Sequence, residues 1–397
     1  MTTGAYLSAN RFLNMGIEKV ARGTLAAQLS SIPVTAPQVT PMQKWLTDNG
    51  LRGSPVGPSG YQNVAGVRGG EYNGKVNAFS DTLPILVRGA LGSPDAKVVA
   101  IASTTVGIGG CAAGAATIPS TASIPIGSAI VIGTGATAET HLTTSVSGTG
   151  APYTIGLSLP TQYLHLAGET IAGLTAHTFG VQNDQVGSQP PSLSLQDFDG
   201  ANAFQILAAQ VDELSLDFGA EKEFAATFKL LGNGVTSIAT PTNAPGTEHF
   251  FPGWDVQGSF GGTVVPQVED GTIPIKRTVK QIWTAQGVPD PYASMADGVD
   301  IKGGKFAFTV AQNDATLTEG TTRDPMAVLL GFTEPQSMHA VWVQMSQVQF
   351  KDPKRKEGKP QVQVDTAFDA EANTTDAVSG GYAAVQITIA NAVTTTY

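Results

Sequence analysis

The chain has 397 residues, a net charge of −10, 46 glycines and 24 prolines, which exceeds one ordinary domain and argues against long helices in favour of many short strands and turns. A single cysteine, Cys111, excludes an intrachain disulfide and any cysteine-cluster zinc site. No apolar run approaches the 18 or so residues of a membrane helix, and MTTGAYLSANRFLNMG shows no basic stretch followed by an apolar one, so no secretion signal is expected. Charged residues make up only 14 %, well below the roughly 25 % usual in soluble proteins, which suggests a surface covered by further copies of the chain.

Residues 1–94 carry mixed signals. TPMQKWLTDNG offers Thr40 as an N-cap, Pro41 at the first helical position and Gly50 as a stop, and so predicts a short helix. The glycine-rich QNVAGVRGGEYNGKVNAFS reads as an extended arm or long loop. TLPILVRGALG is either a buried strand or a helical turn, because so short a run has no decisive period.

The composition then changes. From Val98 to Thr178 the only Asp, Glu, Lys or Arg residues are Glu139 and Glu169, in a background of Thr, Ser, Gly, Ala and Ile. Segments such as SIPIGSAIVIGTG and YTIGLSLP are strand-sized and punctuated by Gly and Pro. This predicts a small β-domain inserted over 95–178, with 1–94 and 179–397 forming one discontinuous main fold.

Charge and two-residue alternation return after Phe179. In VDELSLDFGAEKEFAATFKLLG, Leu214, Leu216 and Phe218 share one face of a strand, with Glu213, Ser215 and Asp217 on the other. A turn at GAEK leads into a second strand, making a hairpin with one wet face. GTIPIKRTV, GKFAFTV and AAVQITIANAV supply further strands, while DPMAVLLGF, with Asp324 as N-cap and Pro325 at N1, predicts a helix. The expected fold is mainly β: a β-sandwich with one or two short helices and extended arms. Near the end, VWVQMSQVQFKDPKRKEGKPQVQVDTAF reads as two strands joined by a loop from Phe350 to about Gln361. In that loop Lys351, Lys354, Arg355, Lys356 and Lys359 oppose only Asp352 and Glu357, a local balance of about +3.

Little of this carries chemistry. His141, His165, His177, His249 and His339 lack any paired spacing and read as ordinary loop or core histidines. VGIGGCAAG lacks the Gly-Lys-Ser/Thr of a phosphate loop, and FSDTLP has Leu83 where an aspartic protease has glycine. Cys111 lies among small residues as a packed thiol. The pairs Glu213/Asp217 and Glu269/Asp270 are of the kind a solvated strand face carries. No catalytic residue, cofactor or metal site is expected.

PSLSLQDFDG, VDELSLDF with EFAATFKLLG, FFPGWDVQGSFGG, EDGTIPIKRTV, QGVPDPY and the closing TAFDAEANTTDA with GGYAAVQITIANAV occur in an order that resembles the major tail protein of long-tailed actinobacterial phages. RFLNMGIEKVARGT resembles the opening of such proteins, and the likeness runs over nearly all of the chain outside 95–178. The resemblance implies a tail-tube β-sandwich subunit, six of which close into a ring, with rings stacking into a tube that conducts DNA. It also implies a virion location after assembly in the host cytoplasm. The implied partners are further copies of the chain, a tape measure protein, a tail terminator and a distal tail protein. Genomic DNA would pass without sequence-specific binding, and no membrane is involved.

A bore about 40 Å wide needs on the order of 20–26 strands, so about six copies giving four strands each would close it. Six copies at −10 carry −60, and an acidic lining would keep phosphate from sticking. The candidate lumen-facing residues are therefore Glu213, Ser215 and Asp217. The loop with Lys351, Lys354, Arg355, Lys356 and Lys359 is the candidate contact between rings, meeting acid near Glu269 and Asp270. Competing readings are a capsid-decoration or tail-fibre β-protein and, from the Thr/Ser/Gly-rich insertion, a carbohydrate-binding or adhesin module.

Overall fold

The structure, a computed structural model, describes residues 11–47, 63–182, 189–243, 245–265, 268–285, 287–309, 325–356, 363–373 and 384–397. In chain order the elements begin with β1 (Phe12–Ile17), β2 (Ser30–Ile32), β3 (Val34–Thr47), β4 (Asn63–Asn77) and helix α1 (Leu83–Leu91). The low-charge region holds β5 (Ala96–Val98), β6 (Thr104–Thr105), β7 (Thr117–Ser120), β8 (Ala129–Ile132), β9 (Glu139–Ser147), β10 (Tyr153–Leu157) and β11 (Thr170–Gly180). Next come β12 (Leu193–Phe198), β13 (Ala203–Gly219), β14 (Ala225–Gly232), β15 (Thr236–Ile238), β16 (Val256–Phe260), β17 (Thr263–Val264) and β18 (Val268–Lys276). The chain closes with β19 (Val279–Ile282), β20 (Ala293–Ala296), β21 (Ile301–Thr309), β22 (Met326–Thr333), β23 (Ala340–Lys356), β24 (Gln363–Glu371) and β25 (Gln386–Asn391). The protein is mainly β, with one α-helix among the described residues.

Eight antiparallel strands form a first branch in the order β3-β4-β14-β13-β18-β21-β24-β23. A second branch runs β16-β22-β23-β25-β11-β5. At 17 residues β23 is long enough to serve both: Ala340–Gln344 pair with β25, and Gln347–Lys356 pair with β24. The branches face each other across an aromatic core. Phe224 of the turn before β14 stacks on Phe332 of β22 at 4.3 Å, and Phe260 of β16 meets Phe306 and Phe308 of β21 edge-on. Helix α1 buries every residue but Arg88 beside this core, and ends where Gly92, at φ 91°, turns its amide back to the Arg88 carbonyl.

Three expectations are corrected. Residues 40–47 are not helical: they belong to β3, the outermost strand of its branch, where Pro37 and Pro41 are tolerated because an edge needs no outward amide. The supposed arm is its partner β4. The apolar run after Pro325 is likewise strand β22, paired on both sides, with Val328, Leu330 and Phe332 turned into the core; Asp324 lies outside the described residues. Sheet pairing on two flanks overrides the helix-start signal at Asp-Pro.

Residues 106–171 gather round a core of their own, made of Val106, Cys111, Leu157 and six isoleucines. The limits of this module lie inside 95–178. β5 and the Thr175–Gly180 half of β11 pair within the second branch, while Thr170–Leu174 of the same strand pair with β6 and β8. A third cluster, including Leu159, Ala129, Ala176, Trp342 and Ala390, fills the junction.

Candidate assembly surfaces and buried polar clusters

Strand β13 alternates as its sequence predicts. Leu214, Leu216 and Phe218 are buried, and Glu213, Ser215 and Asp217 are partly exposed on the opposite face. The cross-strand register places on that open face Lys229 of β14, Asp270 and Lys276 of β18, and Lys305 of β21. It adds Asp365 and Asp369 of β24, and Lys351, Lys354 and Lys356 of β23. With Lys302 of β21 and Glu371 of β24 on the same side, the face from β14 to β23 holds lysines and carboxylates in nearly equal numbers, so it is balanced rather than acidic. Many of the charges are tied: Lys276 Nζ lies 3.1 Å from Glu213, and Lys229 lies 3.5 Å from both Glu71 and Asp212.

The basic segment is not a loop through Lys356. Lys351, Lys354, Arg355 and Lys356 belong to β23, which passes a bulge at Asp352 (φ 47°); Lys359 lies outside the described residues. Lys351 donates to Asp369, and Lys356 to Asp365 at 2.6 Å. The hydrogen bond to Asp365 raises the Lys356 ammonium above its ordinary value, with Asp270 and Glu269 adding to it. The acidic patch expected on a neighbouring ring thus sits beside the lysine in the same sheet. Glu269 itself accepts from Thr309 and Gln363. Lys354 and Arg355 are the two cations of the segment with no ion pair among the described residues.

Both ends of the first branch are open. No described strand pairs with the outer side of β3, and beyond Val348 none pairs with the outer side of β23. The distal part of the β3–β4 hairpin also exposes Trp45, Leu46 and Val64. Period-two alternation locates the open face, but edge position depends on long-range pairing and has no local signal.

Four of the five histidines are buried in polar clusters. His165, fully buried, lies between Glu139 Oε1 at 2.5 Å and Glu169 Oε2 at 2.9 Å. Glu139 also accepts the Gln162 amide at 2.7 Å, and Glu169 the Leu166 amide at 3.0 Å. Burial alone would raise the Glu139 carboxyl, but hydrogen bonds and nearby imidazoles outweigh it and hold Glu139 below the usual carboxylate range. His177 joins Asp95 at 2.8 Å and the Val393 carbonyl at 2.9 Å.

Ser80, His339 and Glu248 form the one grouping that resembles a hydrolytic triad among these clusters. Ser80 Oγ and Glu248 Oε2 address the same nitrogen, Nδ1, at 2.8 and 3.0 Å, so no proton relay can run through the ring. Among the described residues no group of three or more His, Cys, Asp or Glu is arranged to hold a metal ion. Cys111 is buried, and burial raises its thiol. Comparison with protein-family models gives no match, and comparison with curated protein sequences gives none either.

Proposed function

We propose that this chain is a structural subunit of a phage tail tube, joining copies of itself head to tail into rings that stack around a DNA-conducting bore. The observation that carries the reading is the eight-stranded branch with an open strand at each end, β3 and β23. Two different open edges on one sheet make a heterologous contact, which closes into a ring when the rotation permits. Pairing them would bury two rows of unsatisfied backbone groups that a monomer leaves exposed.

The strand count bears on ring size. Three copies contributing eight strands each would give about the same bore as six copies contributing four. In the six-fold case only half of each branch lines the bore, and the β3–β4 hairpin reaches over a neighbour. The balanced open face suits passing DNA in another way than an acid wall would. A lysine already held by a carboxylate has little to offer a phosphate, so DNA gains little by counterion release.

The test is negative-stain microscopy of the purified protein with class averages of end-on views. Rings or tubes are expected, with three- or six-fold symmetry deciding how many strands each copy contributes. A sedimentation profile that stays monomeric at every concentration up to several milligrams per millilitre would sink the reading.

A further inference from the structure

The module meets the body over a small polar void of about 20 Å³. From the module it is lined by Glu139 and His141 of β9 and by Gln162; from the body by Asp255, Gln257 and Thr333. His141 is 2 % exposed, and neither ring nitrogen has a hydrogen-bond partner. Its Nε2 stands 3.1 Å from Glu139 Oε2 but off the hydrogen-bonding direction. The Asp255 side chain, partly exposed, has no hydrogen bond or ion pair among the described residues. A void of this size holds one water, and the lining offers more than the two polar partners a buried water needs. An imidazole whose Nδ1 has no partner and whose Nε2 leans on Glu139, and a partly exposed carboxyl, thus border one water-sized space from opposite sides of the junction.

We propose that this void is a proton-linked water site that sets the module's grip on the body: with Asp255 in its neutral form the site is satisfied and the seam closes, and when Asp255 ionises the seam loosens. The neutral acid donates through the water toward His141. The ionised form sets a second negative charge beside Glu139, which already carries His165, and near Glu334 of the turn after β22, which His249 approaches. Burial, and then the Glu334 charge, raise Asp255 from the ordinary aspartate value to about 6. A carboxyl raised on docking strengthens the docked state below its free value and weakens it as pH climbs through the raised one. The grip should therefore fall roughly tenfold between pH 5 and pH 7 and change little above that. None of this depends on whether the chain forms tubes.

Hydrogen exchange of the full-length protein tests it, read by mass spectrometry over residues 158–163 and 334–342 and corrected for the intrinsic pH dependence of exchange. Wild type should lose about tenfold in protection between pH 5 and pH 7 in these segments, while β13 and β18 stay level. Asp255→Asn, a neutral isostere, should hold the pH 5 level throughout. Flat wild-type protection across that range, or an Asp255→Asn profile that follows wild type, overturns the proposal. Should Asp255→Asn not fold, His141→Phe gives the second reading: by removing the water's imidazole partner it should lower seam protection at pH 5 toward the pH 7 level, and unchanged protection would count against the site.

Discussion

The body and the module solve one problem with different materials. The body's core is large and aromatic, with Phe306 stacked on Phe368 at 4.7 Å and ringed by Phe218, Phe260, Phe308 and Phe350. The module's core is nine aliphatic or thiol side chains with no aromatic ring among them. A core that small stabilises little by itself. The module compensates by borrowing: a strand shared with the body, the Trp342 junction cluster, and the Glu139–His165–Glu169 clamp around a buried imidazole in place of further apolar packing. Low charge in its sequence therefore marks a region with a small core of its own that shares strand β11 and a junction cluster with the body.

That difference predicts unequal responses to truncation. Phe306→Ala should cost about 3–5 kcal/mol and unfold both regions together, since the module has no scaffold without β11 and β25. Ile130→Ala should cost about 2–4 kcal/mol but be felt only in the module, leaving the body's exchange protection intact. Chemical denaturation followed by segment-resolved hydrogen exchange separates the two. Body unfolding at unchanged denaturant in Phe306→Ala, or global unfolding in Ile130→Ala, would break the comparison.

Deletion probes the same boundary by cutting. Removing 97–177 takes away most of β5 and the Thr175–His177 part of the body half of β11, so β25 loses half of that pairing and the product should be insoluble. Removing 99–174 with a short glycine-serine bridge spares those pairings and exposes mainly the junction around Trp342. The second product should fold with a thermal midpoint lower by several degrees, consistent with about 1–3 kcal/mol of lost burial. Equal behaviour of the two deletions would mean that β11 is not the hinge between the regions.

What the sequence disclosed follows the same division. Alternation over 213–218 locates a face and a core because a strand with one wet side writes a period of two. The charge desert from Val98 to Thr178 is legible for the same local reason. The helix signals at Thr40-Pro41 and Asp324-Pro325 mislead because Pro fits a helix's first turn, a sheet's edge and the position just before a strand equally well, and only the partner strand decides. The histidine clusters leave no trace in spacing: Glu139 and His165 are 26 residues apart, and His177 reaches Asp95 across 82.

The clamp in the module gives a pH prediction of the opposite sign to that of Asp255. Glu139 sits below the ordinary carboxylate range against the pull of burial, and Glu169 does so chiefly through the Leu166 amide and His165. A lowered carboxyl stabilises above its free value, and that contribution is lost as pH falls through the lowered one. Protection of residues 161–169 should thus fade only below about pH 4, where the body strands still hold. The seam is then tightest in the narrow window between the two effects. Glu139→Gln should weaken the loop near neutral pH, approach wild type in acid and so flatten the acid transition; an unchanged transition would move the titration to another group.

The smallest effect belongs to the edge of β23. Lys354 and Arg355 are exposed and have no ion pair among the described residues, so reversing both to Glu should shift stability by no more than about 0.5 kcal/mol. Lys356 is best left in place, because a carboxylate there would face Asp365 and Asp270 and confound folding with assembly. If β23 is an edge that meets another copy, each reversed charge acts once per contact, and a ring or tube repeats it. A change of a few tenths of a kcal/mol per contact is invisible in a melting curve but decides how far a polymer grows. The variant should therefore melt like wild type yet form shorter assemblies at low salt, with the difference shrinking as ionic strength rises and the Debye length falls to about 8 Å at 0.15 M. Sedimentation across a salt series measures this directly. Identical profiles for both proteins at low salt would confine these two cations to the older task of edge lysines, keeping a bare strand from pairing with the wrong neighbour.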